Sequence, residues 1–107
     1  MSITADVVVI GGGVNGTSTA YHLAKAGVKN VYLVERRQLG AGATGKSGAL
    51  VRTHYTNVPE SQLAFESLKV FRNFSEYTNG GDAGWDEPGF VQVVAPGYEG
   101  KLAANVA

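Results

Sequence analysis

The sequence predicts an α/β fold built on a parallel strand–helix–strand unit. Three observations carry that expectation. An apolar, β-branched run at residues 6–10 ends in Gly11-Gly12-Gly13. A helical pattern follows from Val14 to Ala26 and stops at Gly27. A second apolar run, Val31-Tyr32-Leu33-Val34, then closes on Glu35. Two strands joined by one helix over so short a stretch form a right-handed crossover with parallel strands.

Each element has a local reason. Val7-Val8-Val9-Ile10 is a short continuous β-branched run, which suits a strand covered on both faces. Val14, Gly16, Ala20, Leu23 and Ala24 recur at three- and four-residue spacing, the signature of one helix face. Gly27 stands where a left-handed glycine ends a helix. Residues 36–50 form a glycine-rich loop, long for a compact domain and therefore expected to be functional or disordered. Residues 51–58 carry no clear periodicity. Pro59 to Tyr77 is predicted as a helix with proline in its first turn, where a missing N–H costs nothing. Leu63, Ala64, Leu68, Val70, Phe71, Phe74 and Tyr77 fall on its inner side. Glu66, Lys69, Arg72, Asn73 and Glu76 fall on the outer side, and Asn79-Gly80-Gly81 stops it.

Asp82 to Pro88 reads as a turn-rich connection, and Phe90–Val94 as a third strand between Gly89 and Pro96-Gly97. Glu99 to Ala107 reads as the opening of another helix, with Leu102 and Val106 four apart. Two strong strands and a third of unassigned direction are few for a doubly wound sheet. The expectation is an incomplete N-terminal part of a two-domain protein, with a complete small domain as the alternative. Residues 1–50 would be its binding unit and glycine loop, and residues 51–107 a helix and strand leading into the next domain.

Composition narrows the chemistry. Of 107 residues, nine Lys+Arg balance nine Asp+Glu, which argues against a basic footprint for nucleic acid and against a polybasic membrane patch. Cysteine is absent, which excludes disulfides, thiolate metal ligation and thiol catalysis within these residues. No metal site is expected. The longest aliphatic run is four residues, against about 20 for a bilayer span. No signal-peptide pattern precedes Asp6, and the expected location is cytoplasmic. Glycine supplies 15 residues, about twice its usual share.

Those glycines make the motif. Gly11-x-Gly13-x-x-Gly16 follows a strand, opens a helix, and is followed by Glu35 at the end of the second strand. This is a Rossmann-like, FAD/NAD(P)-binding fingerprint in its required context. Gly11 permits the tight turn, Gly13 lets a pyrophosphate approach the backbone, and Gly16 lets helix and strand lie close. The helix N-terminus offers unpaired N–H groups and partial positive charge to the diphosphate. Glu35 is placed to accept from the adenosine ribose hydroxyls, and its charge disfavours the 2′-phosphate of NADP. Spacing alone does not separate NAD from FAD.

The run from Asp6 to Gly27, followed by Val31-Tyr32-Leu33-Val34-Glu35-Arg36, resembles the N-terminus of the D-amino-acid oxidase-like FAD-dependent oxidoreductases. The segment from Gly40 to Tyr55 is similar to the second flavin-contacting loop of the sarcosine oxidase and dimethylglycine dehydrogenase branch. Glu60-Ser61 and Gly89-Phe90 fit that branch too. The resemblance implies FAD as cofactor. It places Val14 and Asn15 at the pyrophosphate, and Glu35 and Arg36 at the adenosine ribose. Ala43, Thr44, Ser47, Gly48, Ala49 and Leu50 would lie along the diphosphate, ribityl chain and flavin. Some branch members tether FAD through a histidine in this loop; Lys46 stands at that position here, which implies a non-covalent cofactor. Arg52 matches a position where relatives place an arginine near the substrate carboxylate, and a guanidinium fork suits that role. A structural salt bridge is its competing explanation.

The implied activity is oxidation of a secondary amine or amino acid of the sarcosine or dimethylglycine kind by hydride transfer to flavin. The alternative is a flavin- or nucleotide-binding module without chemistry of its own. The implied partners are a small amine or amino-acid substrate and further subunits of a hetero-oligomeric oxidase. No catalytic residue beyond the candidate Arg52 is assigned.

Overall fold

A computed structural model describes residues 4–106. They form two compact units, residues 4–51 and 52–106. The first contains strand β1 (Val7–Ile10), helix α1 (Val14–Lys25), strand β2 (Val31–Val34) and a 3-10 turn at Thr44–Lys46. The second contains α2 (Val58–Arg72), α3 (Phe74–Thr78) and α4 (Glu99–Val106). No helix among the described residues is long and apolar enough to cross a membrane.

β1 and β2 pair in parallel, Val7 opposite Val31 through Ile10 opposite Val34. The ladder continues at both ends: Asp6 N–H donates to the Asn30 carbonyl at 3.2 Å, and Gly11 N–H to the Val34 carbonyl at 2.8 Å. Alternate residues are half-buried (Val7, Val9, Val31 and Leu33), and α1 packs on the sheet. The other face is open, with Val8, Ile10, Tyr32 and Val34 exposed.

The end of α1 forms as its sequence predicts. Gly27 takes φ +88°. Its N–H donates to the Ala24 carbonyl at 3.0 Å, and the Val28 N–H to the Leu23 carbonyl at 3.1 Å. That pair is the Schellman closure, which satisfies carbonyls the helix itself cannot.

In the second unit, Asn57 caps α2. Its side-chain oxygen accepts from Glu60 N–H at 2.9 Å, while its amide donates to the Glu60 carboxylate at 2.7 Å. Pro59 occupies the first turn. The predicted helix over 59–77 is in fact two helices, because Asn73 leaves helical geometry at φ −121°, ψ 32°. Its side-chain amide donates back to the Lys69 carbonyl at 2.9 Å, the local competition that makes asparagine a poor interior helix residue. Asn79, left-handed at φ 59°, ends α3. Phe71 stacks on Phe74 and on Trp85, with centroids 6.4 and 5.5 Å apart. Leu63, predicted inward, is exposed.

The predicted third strand at 90–94 does not form. A strand exists by pairing its backbone with a neighbour, and this segment has none among the described residues. Val91 and Val93 are both 87% exposed.

Candidate nucleotide-binding site

The site is assembled where β1 and β2 end, the edge at which open α/β sheets bind ligands. The chain leaves β1 through Gly11 at φ +104°, a left-handed conformation that favours glycine. Gly12 is buried. Gly13 then caps α1 without a side chain.

The three fingerprint glycines are required for different reasons. At Gly11 the backbone angle decides, because an added Cβ would meet nothing within 4 Å. At Gly16 space decides, because a Cβ would overlap the Gly11 carbonyl oxygen and lie 3.5 Å from Val9 Cγ1. Helix and strand therefore touch there. At Gly13 a Cβ would lie 3.0 Å from Thr44 Oγ1. The space beside Gly13 is thus shared with the second loop.

That loop is fastened to the turn. Gly40 N–H donates to the Gly12 carbonyl at 2.8 Å. Leu39 lies over Gly12, where a Cβ would come within 2.6 Å of its Cδ2. Gly45 N–H donates to the Gly40 carbonyl at 2.8 Å, which turns the loop back. Thr44 Oγ1 accepts from Val14 N–H at 2.9 Å. Sequence reasoning passed over Gly12, Leu39 and Gly40. The uninterrupted Gly11-Gly12-Gly13 run was the available signal for Gly12. No sequence signal marks Leu39, whose role depends on the fold of the loop.

Glu35 stands at the exit of β2. One carboxylate oxygen accepts from Gly12 N–H at 2.8 Å, the other from Arg37 N–H at 2.9 Å. The Gly12 bond first, and the Arg37 bond second, hold this carboxyl below the usual carboxylate range. Glu35 therefore ties the exits of both strands together as an anion, with lone pairs remaining on each oxygen.

The N–H groups of Asn15 and Gly16, in the first turn of α1, have no acceptor among the described residues. They are the natural donors to an anion at a helix N-terminus. Val14 N–H is not: it is given to Thr44. The structure thus brings together Gly11, Gly13, Val14, Asn15, Gly16, Glu35 and Thr44. It gives the Arg36 side chain no hydrogen bond or ion pair among the described residues. Ala43 precedes the 3-10 turn, and Ser47 follows it. Ser47 Oγ accepts from Ala49 N–H at 3.1 Å, and Ala49 takes a left-handed φ of 53°. Gly48 has open space around it, and Leu50 is 73% exposed.

Arg52 belongs to the second unit. Its guanidinium lies 5.3 Å from the Tyr55 ring centroid and has no carboxylate partner among the described residues.

Comparison with known proteins agrees with the glycine turn. Over 89 residues the chain is 37% identical to mitochondrial dimethylglycine dehydrogenase of Homo sapiens, covering 83% of this chain and 10% of that protein. It is 35% identical to sarcosine oxidase subunit beta of Rhodobacter capsulatus, over 69% of this chain and 18% of that protein. It is 36% identical to the mitochondrial pyruvate dehydrogenase phosphatase regulatory subunit of Mus musculus, over 69% of this chain and 8% of that protein. The chain thus spans under a fifth of the length of these relatives. The family model described as "FAD dependent oxidoreductase" matches residues 6–107, from the strand that opens the glycine turn onward, and the chain belongs to that family.

Proposed function

We propose that this chain is the FAD-binding N-terminal portion of an oxidoreductase acting on a secondary amine or amino acid of the sarcosine or dimethylglycine class. The observation that carries the proposal is the cradle itself. A left-handed Gly11, a buried Gly12 and a bare Gly13 lead into a helix whose Asn15 and Gly16 N–H groups await an acceptor. The diphosphate would lie over residues 11–16, and the adenosine ribose at Glu35. Glu35 already makes two backbone bonds, so it meets the ribose as a fixed acceptor with little side-chain entropy left to lose. When bound, FAD supplies the acceptor for a hydride equivalent from the carbon next to the substrate nitrogen.

The residues of this chain would bind and orient. Small residues from Ala43 to Ala49 let the loop backbone approach the cofactor. Arg52, free of a carboxylate partner among the described residues, is the candidate to fork onto a substrate carboxylate. Lys46 at the tether position supports non-covalent attachment. The substrate class rests on the names of the dimethylglycine and sarcosine relatives, and association with other subunits on the subunit-beta relative.

A visible spectrum of the purified protein tests the reading, with and without sarcosine, dimethylglycine or proline. Oxidised-flavin bands that bleach with one of these substrates are expected. A colourless protein that releases no FAD on denaturation contradicts it.

A second reading has one specific observation behind it: a phosphatase regulatory subunit is among the relatives. On that reading the chain binds the nucleotide without catalysing. Bound FAD that no amine bleaches, under oxygen or with an artificial acceptor, distinguishes it.

A further inference from the structure

Gly12 is a glycine that neither its own backbone nor the fingerprint explains. It occupies a free position of Gly11-x-Gly13-x-x-Gly16, and its φ is not positive. It is nevertheless the only buried residue among those described. Its neighbours give the reason. A Cβ at Gly12 would lie 2.6 Å from Leu39 Cδ2 and 3.2 Å from both Cβ and Cγ of Glu35. Leu39 and Gly40 form the tip of a tight turn, closed by Ala41 N–H donating to the Gln38 carbonyl at 3.1 Å. Gly40 is left-handed at φ +74°, the sign that a type II turn requires of its third residue. That tip holds Gly12 in two ways: Leu39 lies over its Cα, and Gly40 N–H donates to its carbonyl at 2.8 Å. On the other side, Gly12 N–H donates to the Glu35 carboxylate at 2.8 Å. Both the N–H and the carbonyl of Gly12 are thus committed to residues 35–40.

We propose that Leu39 is a positioning residue: its side chain seats on the bare Gly12, and this seat sets the register of Glu35 and of the second loop against the glycine turn. For its effect on the cofactor, the inference rests on the FAD reading above. Leu39 is 65% exposed, so it adds little to a core; what it adds is the fit. An apolar side chain over Gly12 also keeps water from competing for the Gly12–Glu35 bond, which strengthens a charge-assisted hydrogen bond. Glu35 has little freedom to retreat from a bulkier residue 12, because its other oxygen is held by Arg37 N–H at 2.9 Å. Leu39 is free to retreat, because only its end methyl stands in the way. An added methyl at position 12 therefore keeps the fold but evicts Leu39. The turn tip then loses one of its two holds, and the loop that follows, from Ala43 to Leu50, shifts with it.

Variants of the full chain test this: Gly12→Ala, Leu39→Ala, the two combined, and Leu39→Met. Each is compared with wild type for FAD affinity and, without FAD, for amide hydrogen exchange at Gly40, whose N–H reports the hold on Gly12. Leu39→Met keeps a terminal methyl of similar reach and is expected to bind FAD within about threefold of wild type. Gly12→Ala and Leu39→Ala should each weaken FAD by about tenfold and speed Gly40 exchange by about as much. The combined variant should lose no more than about threefold beyond Leu39→Ala, because the new methyl then has no side chain to evict. Losses that multiply instead overturn the inference, since the two residues would then act separately. Leu39→Ala with wild-type affinity and exchange overturns it as well, and decides the matter should Gly12→Ala fail to fold. Faster Gly40 exchange with unchanged FAD affinity overturns the positioning role and leaves Leu39 a packing residue. Leu39→Met as weak as Leu39→Ala overturns it too, since the seated methyl would not be what matters. A wild-type chain that binds no FAD overturns the FAD reading and the role toward the cofactor, while Gly40 exchange in the same variants still decides the seat itself.

Discussion

Gly16→Ala places one methyl group where the structure has no room for it. The new Cβ would overlap the Gly11 carbonyl oxygen, lie 3.1 Å from the Gly11 carbonyl carbon, and reach 3.5 Å from Val9 Cγ1. The colliding atoms are backbone, so no rotamer relieves them. Relief requires α1 to move off the β1 exit by about 1 Å, and overpacking of this kind costs about 1–3 kcal/mol. Alanine returns up to about 1 kcal/mol of helix propensity relative to glycine, which offsets part of the cost. For a unit of this size a net loss of 1–2 kcal/mol lowers Tm by roughly 5–15 °C. Gly42→Ala is the control, because its Cβ meets nothing within 4 Å and its φ is not positive. Thermal unfolding of both variants, followed by circular dichroism without added flavin, gives the comparison. A Gly16→Ala protein as stable as Gly42→Ala would refute the close approach of α1 to β1.

Four other outcomes follow from the same structure. Asn57→Ala removes the α2 cap and its bond from Glu60 N–H, and should cost about 1 kcal/mol in denaturant unfolding, with the Glu60 pairing lost at the same time. Glu35 has a folded-state pKa below its unfolded value, so its stabilisation is complete above the usual carboxylate value of 4.5 and fades as pH falls through the folded value. The Tm difference between wild type and Glu35→Gln should therefore be flat near neutral pH and shrink below that point. Acid precipitation should leave all the flavin in the supernatant, and flavin attached to a peptide from residues 40–55 would contradict non-covalent binding. Arg52→Lys keeps the charge but loses the fork, so kcat/KM should fall sharply with Tm unchanged, and a fall in Tm with normal kinetics would mark Arg52 as structural.

The first unit was readable because its signals are local. β-branched runs, positive-φ glycines at the exit of β1 (Gly11) and the end of α1 (Gly27), and an acidic residue closing β2 each impose their geometry through adjacent backbone. Val7–Ile10, Val14–Lys25 and Val31–Val34 lie within a residue or so of their predicted spans. What remained hidden depends on contacts across the chain. The Thr44 cap on Val14 joins residues thirty apart, and the Gly40 bond to Gly12 joins two loops. No spacing rule reports either. The strand expected at Phe90–Val94 fails for the same reason, since its composition suits a strand but pairing needs a neighbour. The break at Asn73 was legible in principle, because an asparagine inside a helix competes for backbone bonds.

The central claim is that the first turn of α1 holds the diphosphate of FAD. Amide hydrogen exchange of the full chain, with and without FAD, reads this at individual residues. Asn15 and Gly16 have no acceptor among the described residues, so their amides should exchange fast alone and slow sharply when FAD binds. Bound FAD with unchanged exchange at Asn15 and Gly16 would contradict the account.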